Sequence, residues 1–117
     1  MSHRNRAEAL HGIETEIRQE KAETLGRAGE RLEDALKALE GARVAIGGVE
    51  ARLRLGSGPP EEAASLREAR EQLAARLLVL RDQADLAYQY LIIQREAVGV
   101  RSHLDVGRSY NVSERLG

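Results

Sequence analysis

The chain of 117 residues has no cysteine, no phenylalanine and no tryptophan. Without cysteine there is no thiol catalysis, no disulfide and no cysteine-ligated metal. With only Tyr88, Tyr90 and Tyr110 as aromatics, a core must be built from Leu, Ile, Val and Ala. Aromatic side chains supply much of the bulk of ordinary cores, so this composition suits narrow helical bundles better than sheets. The longest apolar runs, such as Leu77 to Leu80, are far short of a membrane span. The N-terminal Met1-Ser2-His3-Arg4-Asn5-Arg6 is followed by no apolar stretch, so a secretory leader of the usual pattern is not expected. A cytoplasmic location is the expectation, with no membrane contact. One-sign charge is also missing: the formal net charge is −1, with charged residues at 32% and interleaved. Such a balance favours neither nucleic acid nor a membrane surface. Among basic residues Lys occurs only at 21 and 37, an arginine bias common in GC-rich bacterial genomes.

What is present is a heptad. Leu25, Leu32, Leu39, Ile46 and Leu53 are seven residues apart, and Ala28, Ala35, Ala42 and Val49 follow the first four by three. Apolar residues at the first and fourth positions of a seven-residue repeat form the seam of a helix lying along another helix. The small alanines let that neighbour come close. A first helix over about 5–55 is predicted, with Asn5 and Glu8 as a capping pair and ion pairs such as Glu14 with Arg18 and Glu33 with Lys37 along it. If continuous it is about 75 Å long at 1.5 Å per residue. Two features point to a bend or change of face. Leu10, Ile13 and Ile17 are out of phase with the later heptad, the step from Ile17 to Leu25 being eight residues. Gly47-Gly48 is the weakest point, since each helical glycine costs about 0.8–1 kcal/mol relative to Ala.

Gly56-Ser57-Gly58-Pro59-Pro60 is an unambiguous break. Glycine ends one helix, proline opens the next, and Glu61 and Glu62 suit the positive end of the new helix dipole. A phosphate loop is excluded by the missing Gly-Lys-Ser/Thr ending. A turn over 56–60 makes the helices antiparallel neighbours. The second helix is expected over about 60–98. Leu66, Leu73 and Leu80 repeat by seven, as do Leu77, Ala84 and Leu91. From 77 to 93 the apolar residues spread round the helix, which requires more than one neighbour. Counting back from the turn, that stretch lies beside roughly 22–38 of the first helix. Either the C-terminal segment 99–117 or a second copy covers the excess. In this segment Gly99 is a candidate C-cap, residues 102–106 a short helical turn ending before Gly107, and 111–117 the part with room to be loose.

The candidate chemistry is sparse. Arg95, Glu96, Arg101, His103, Asp105, Arg108 and Tyr110 form a cluster in sequence, but His103 and Asp105 have no nucleophile nearby, and joining the tail to the bundle is the simpler role. His103 and Gly107 have the spacing found in histidine phosphotransfer domains, yet Leu104-Asp105-Val106 departs from the Leu-Lys-Gly of that family. The secreted helical hairpins of the Trp-X-Gly type have similar length, but their defining turn is absent here. No Glu-x-x-His occurs, so a bundle metal site is not expected, nor is any cofactor.

The sequence therefore predicts an all-α protein: a long antiparallel helical hairpin with a short docked C-terminal segment, completing a four-helix bundle or coiled coil as a homodimer. The expected function is non-enzymatic, a scaffold or adaptor that self-associates and binds a protein partner. The interface residues are expected to be Leu25, Leu32, Leu39, Ile46, Leu73, Leu77, Leu80, Leu91 and Ile93. The functional tail residues would be Arg95, Arg101, His103, Arg108 and Tyr110. The alternative is a nucleic-acid-associated regulator using the arginines of the C-terminal segment.

Overall fold

The computed structural model describes residues 3–99 and 104–117. Helix α1 spans His3–Leu55 and α2 spans Pro60–Ala97, and the two pack against each other as an antiparallel hairpin. Short helices α3 (Leu104–Tyr110) and α4 (Val112–Leu116) follow. The molecule is a rod of 85 × 25 × 16 Å. The all-α hairpin with a docked C-terminal segment read from the sequence is therefore what the chain forms.

The turn has the predicted chemistry. Gly56 takes φ +59, a left-handed conformation that costs glycine nothing. Pro59 caps α2, and Pro60 opens it with Glu61 and Glu62 in the first turn. Arg52 Nη2 donates to Glu62 Oε1 at 3.3 Å across the turn. At the far end of α2 the C-cap is Val98, and Gly99, expected as the cap itself, stands one residue beyond it at φ +92, its N–H donating to the carbonyl of Glu96 at 3.0 Å.

The core lies along the heptad seam. Leu32, Leu39, Ala28 and Ala42 of α1 are buried against Leu80, Ala84, Ala87 and Leu91 of α2. Leu36, outside both heptad series, is also fully buried.

Two expectations, the Asn5 cap and a turn ending before Gly107, need correction, and two points left open by the sequence, Gly47-Gly48 and residues 111–117, are answered. Helix α1 runs unbroken through Gly47-Gly48. A Cβ added at either glycine meets nothing, and the flanking Ile46 and Val49 are half-buried, so packing along the seam outweighs the weak local propensity. Asn5 lies inside α1, two residues beyond His3, so it does not cap the helix. Helix α3 continues through Gly107 to Tyr110 because Val106, Tyr110 and Val112 pack on the core and hold it. Residues 111–117 are not loose: Asn111 turns the chain at φ 51, a conformation Asn tolerates better than most residues, and α4 docks on α1 and α2.

The phase slip between Ile17 and Leu25 lies within one unbroken helix. Ile17, Lys21, Thr24 and Leu25 border a hollow whose other wall is Gln94, Ala97 and Val98. The heptad thus begins where α2 ends. Before it, α1 is an overhanging arm in which Leu10, Ile13 and Ile17 are exposed.

Candidate interaction surface

The two long helices leave a groove on each flank of the hairpin, and the flanks are treated differently. The first is filled by the tail. On α1 it is lined by Gly29, Glu33, Leu36, Glu40 and Arg43, spaced four, three, four and three residues apart. That spacing is a second stripe beside the seam. Arg115 of α4 sits over it. Its Nη1 and Nη2 donate to the two carboxylate oxygens of Glu33 at 2.8 and 2.9 Å, and its Nε donates to Glu40 Oε1 at 2.5 Å. Arg43 returns the contact, donating to the carbonyls of Arg115 at 2.6 Å and Leu116 at 3.0 Å. These last carbonyls of α4 have no helical partner, so the guanidinium supplies one.

Bidentate pairing with a guanidinium is strong and directional. The Arg115 side chain is 18% exposed. The Glu33 carboxyl is held below the usual carboxylate range by its hydrogen bonds to Arg115; these outweigh the opposing effect of burial, and the charges of Arg115 and then Lys37 add to the lowering. Arg115 is pushed above its ordinary value by the same contacts. Gly29 is buried, and a Cβ there would lie 2.6 Å from the Tyr110 hydroxyl. The glycine is what admits the phenol.

Of the tail residues singled out from the sequence, Arg95 donates to both Asp105 oxygens at 3.0 and 3.2 Å, Tyr110 packs on the core and Arg108 is exposed. Arg101 and His103 lie outside the described residues. Arg95 and Asp105 thus join tail to hairpin. The pairing of Arg115 with Glu33 and Glu40, and the contact of Arg43 with the last carbonyls, were not anticipated: the sequence places Arg115 among the basic tail residues and pairs Glu33 with Lys37. Their only trace in the sequence is that Gly29, Leu36 and Arg43 repeat by seven, as do Glu33 and Glu40.

The second flank has no such cover among the described residues. Arg31 and Ala35 of α1 and Gln83, Leu86 and Ala87 of α2 border an open hollow there, and the Arg31 guanidinium lies 5.5 Å from the centre of the Tyr90 ring, a cation–π contact. Val79, Leu86 and Ile93 repeat by seven on the outer side of α2 and are 47, 62 and 59% exposed. Of the residues predicted at an interface, Leu32, Leu39, Leu80 and Leu91 are buried in the hairpin's own core, while Leu25, Ile46, Leu73 and Leu77 are half-buried along its seam. Ile93 alone of them faces outward, at 59% exposure.

Among the described residues no group of three His, Cys, Asp or Glu could hold a metal ion, and no helix is long and apolar enough to cross a membrane. A further open hollow at the turn is bordered by Arg52, Leu53, Ser57, Pro59, Glu62 and Leu66, where Arg52 and Glu62 are paired with each other. Set against protein-family models, curated proteins and solved structures, the chain matches none.

Proposed function

We propose that this chain is a non-enzymatic helical scaffold that self-associates and binds a protein partner through its helix faces. The observation that carries the reading is the uncovered flank of α2, where Val79, Leu86, Tyr90 and Ile93 are exposed along one side of the helix beside Asp82. A contiguous exposed apolar stripe on a folded chain is a protein-binding surface, and a four-helix assembly of two hairpins is the simplest way to cover it. The overhanging arm, with Leu10, Ile13 and Ile17 exposed at spacings of three and four, has the pattern of an amphipathic helix that lies in a groove of a partner.

The nucleic-acid alternative has less support. Two of the arginines on which it rests are engaged within the chain, Arg95 by Asp105 and Arg115 by Glu33 and Glu40. A basic stripe available to phosphates would need them turned outward.

Sedimentation velocity of the full chain and of Leu86→Glu tests the scaffold reading. The expected result is an assembly for the natural chain and a monomer of unchanged helicity for the variant. Equal sedimentation of the two would remove this surface from the function.

A further inference from the structure

The stripe on α2 reads almost the same in both directions. Ala75, Val79, Asp82, Leu86, Tyr90, Ile93 and Ala97 are all exposed and share the outer side of the helix. Their spacings are four, three, four, four, three and four residues, which is symmetric about Leu86. So is their chemistry. Alanine stands eleven residues to either side of Leu86, and a β-branched apolar residue seven to either side. At four residues stand the carboxylate of Asp82 and the phenol of Tyr90, a hydrogen-bond acceptor and a donor.

A surface of this kind is complementary to itself under a two-fold rotation, because an isologous interface requires that residue i meet j and j meet i. From this symmetry we infer that the occupant of the uncovered flank is a second copy of the chain, packed with α2 antiparallel to the partner's α2 about a two-fold axis at Leu86. The inference rests on the self-associating reading above and gives it a geometry.

In this arrangement Leu86 meets its own copy, Val79 meets the copy of Ile93, and Ala75 meets the copy of Ala97. The small alanines at the ends let the helices stay close. Asp82 faces the copy of Tyr90, the ring that carries Arg31 at 5.5 Å. The carboxylate therefore meets a phenol and a guanidinium, which is charge complementarity between the copies as well as shape. A parallel pairing would set Asp82 against Asp82 and leave the phenols facing each other.

The arm supports the same direction. Eighteen residues, five helical turns, separate Ile13 from Arg31 and Ile17 from Ala35. By the same step Leu10 stands in line with the buried Ala28, so the apolar side of the arm continues the seam and its edge toward the uncovered flank. An antiparallel copy runs back over that end of α1 and reaches along the arm, whereas a parallel copy leaves its own arm beside the first and both bare.

Disulfide mapping on the full chain decides the matter, since the natural sequence has no cysteine. Val79→Cys chains are mixed with mass-tagged Ile93→Cys chains under mild oxidation, with helicity checked by circular dichroism. Mixed dimers should exceed either self-linked species at least tenfold. In the antiparallel pair two copies of position 79 are about 21 Å apart at 1.5 Å per residue, beyond the roughly 7 Å that a disulfide spans between Cα atoms. Asp82→Cys with Tyr90→Cys is the second pair and should behave alike. Predominant self-linking of Val79→Cys would overturn the geometry in favour of a parallel pair. No linking in a sample that light scattering shows to be dimeric would place self-association elsewhere and overturn the geometry alone. A monomer at every concentration would overturn the scaffold reading with it.

Discussion

The two flanks of the hairpin carry the same kind of pattern, and among the described residues the chain covers only one of them. Both show a heptad stripe beside the main seam: Gly29, Leu36 and Arg43 on one, Val79, Leu86 and Ile93 on the other. The first is covered by the chain's own tail, and its outer contacts are ionic, with Arg115 gripped by Glu33 and Glu40 and Arg43 holding the last carbonyls. The second is apolar at its middle and uncovered among the described residues. A short tail of two small helices has little area to bury, so directional charged hydrogen bonds fix its position. In the proposed dimer the long exposed stripe would need no such device, because a second long helix would cover it by area alone.

Substitutions on the two flanks should separate these roles. The largest effect on folding is expected from Leu36→Ala, which empties a fully buried site under the tail and should lower unfolding free energy by about 2–5 kcal/mol, measured by urea denaturation. Leu86→Glu should leave monomer folding almost unchanged, as surface substitutions do, within about 0.5 kcal/mol, while abolishing assembly. An equal loss of folding stability in both would mean the second flank is covered within the chain.

Arg115→Ala comes next. It removes the cation from Glu33 and Glu40, and its pairs are part-exposed, so a loss of about 1–2 kcal/mol is expected after allowance for solvent screening. Hydrogen exchange should rise in residues 104–117 and not in the seam. The same contact has a pH signature. The Glu33 carboxyl is lowered in the folded chain by Arg115. The stabilisation is therefore complete above the unfolded carboxyl value of about 4.3 and is lost as pH falls through the lower folded value. Acid titration followed by tyrosine fluorescence should show the tail releasing in that range, and the release should be absent in Arg115→Ala.

The smallest effects come from glycines. Gly41→Ala places its Cβ in open space on α1 and should stabilise by about 0.5–1 kcal/mol. Gly29→Ala carries the same helix gain but drives a Cβ to 2.6 Å from the Tyr110 hydroxyl. It should gain less than Gly41→Ala in thermal melts and expose Tyr110. Equal gains would show that the phenol moves aside freely.

How much of this was legible depended on how many neighbours each stretch has. The seam could be read because one straight neighbour runs beside it, so Leu25 to Leu53 keep one phase. The slip at Ile17 was visible too, but its meaning was not: a lost neighbour and a bent helix give the same pattern. Gly47-Gly48 looked weak because propensity counts only local terms, while Ile46 and Val49 on the seam hold the helix through it. The burial of Leu36 and the pairing of Arg115 with Glu33 and Glu40 were missed because contacts between α1 and the tail join positions far apart in the chain, and the tail's helices are too short to show a period. The excess apolar character of 77–93 was evident, but assigning Leu80 and Leu91 inward and Val79, Leu86 and Ile93 outward needed the packing itself.

The most direct test of the claim that a second copy closes the open flank is the solution mass of the full chain by light scattering across a wide concentration range. The account predicts a species of twice the 12.9 kDa chain mass that does not change with dilution through the micromolar range. A mass of 12.9 kDa at every concentration would contradict it.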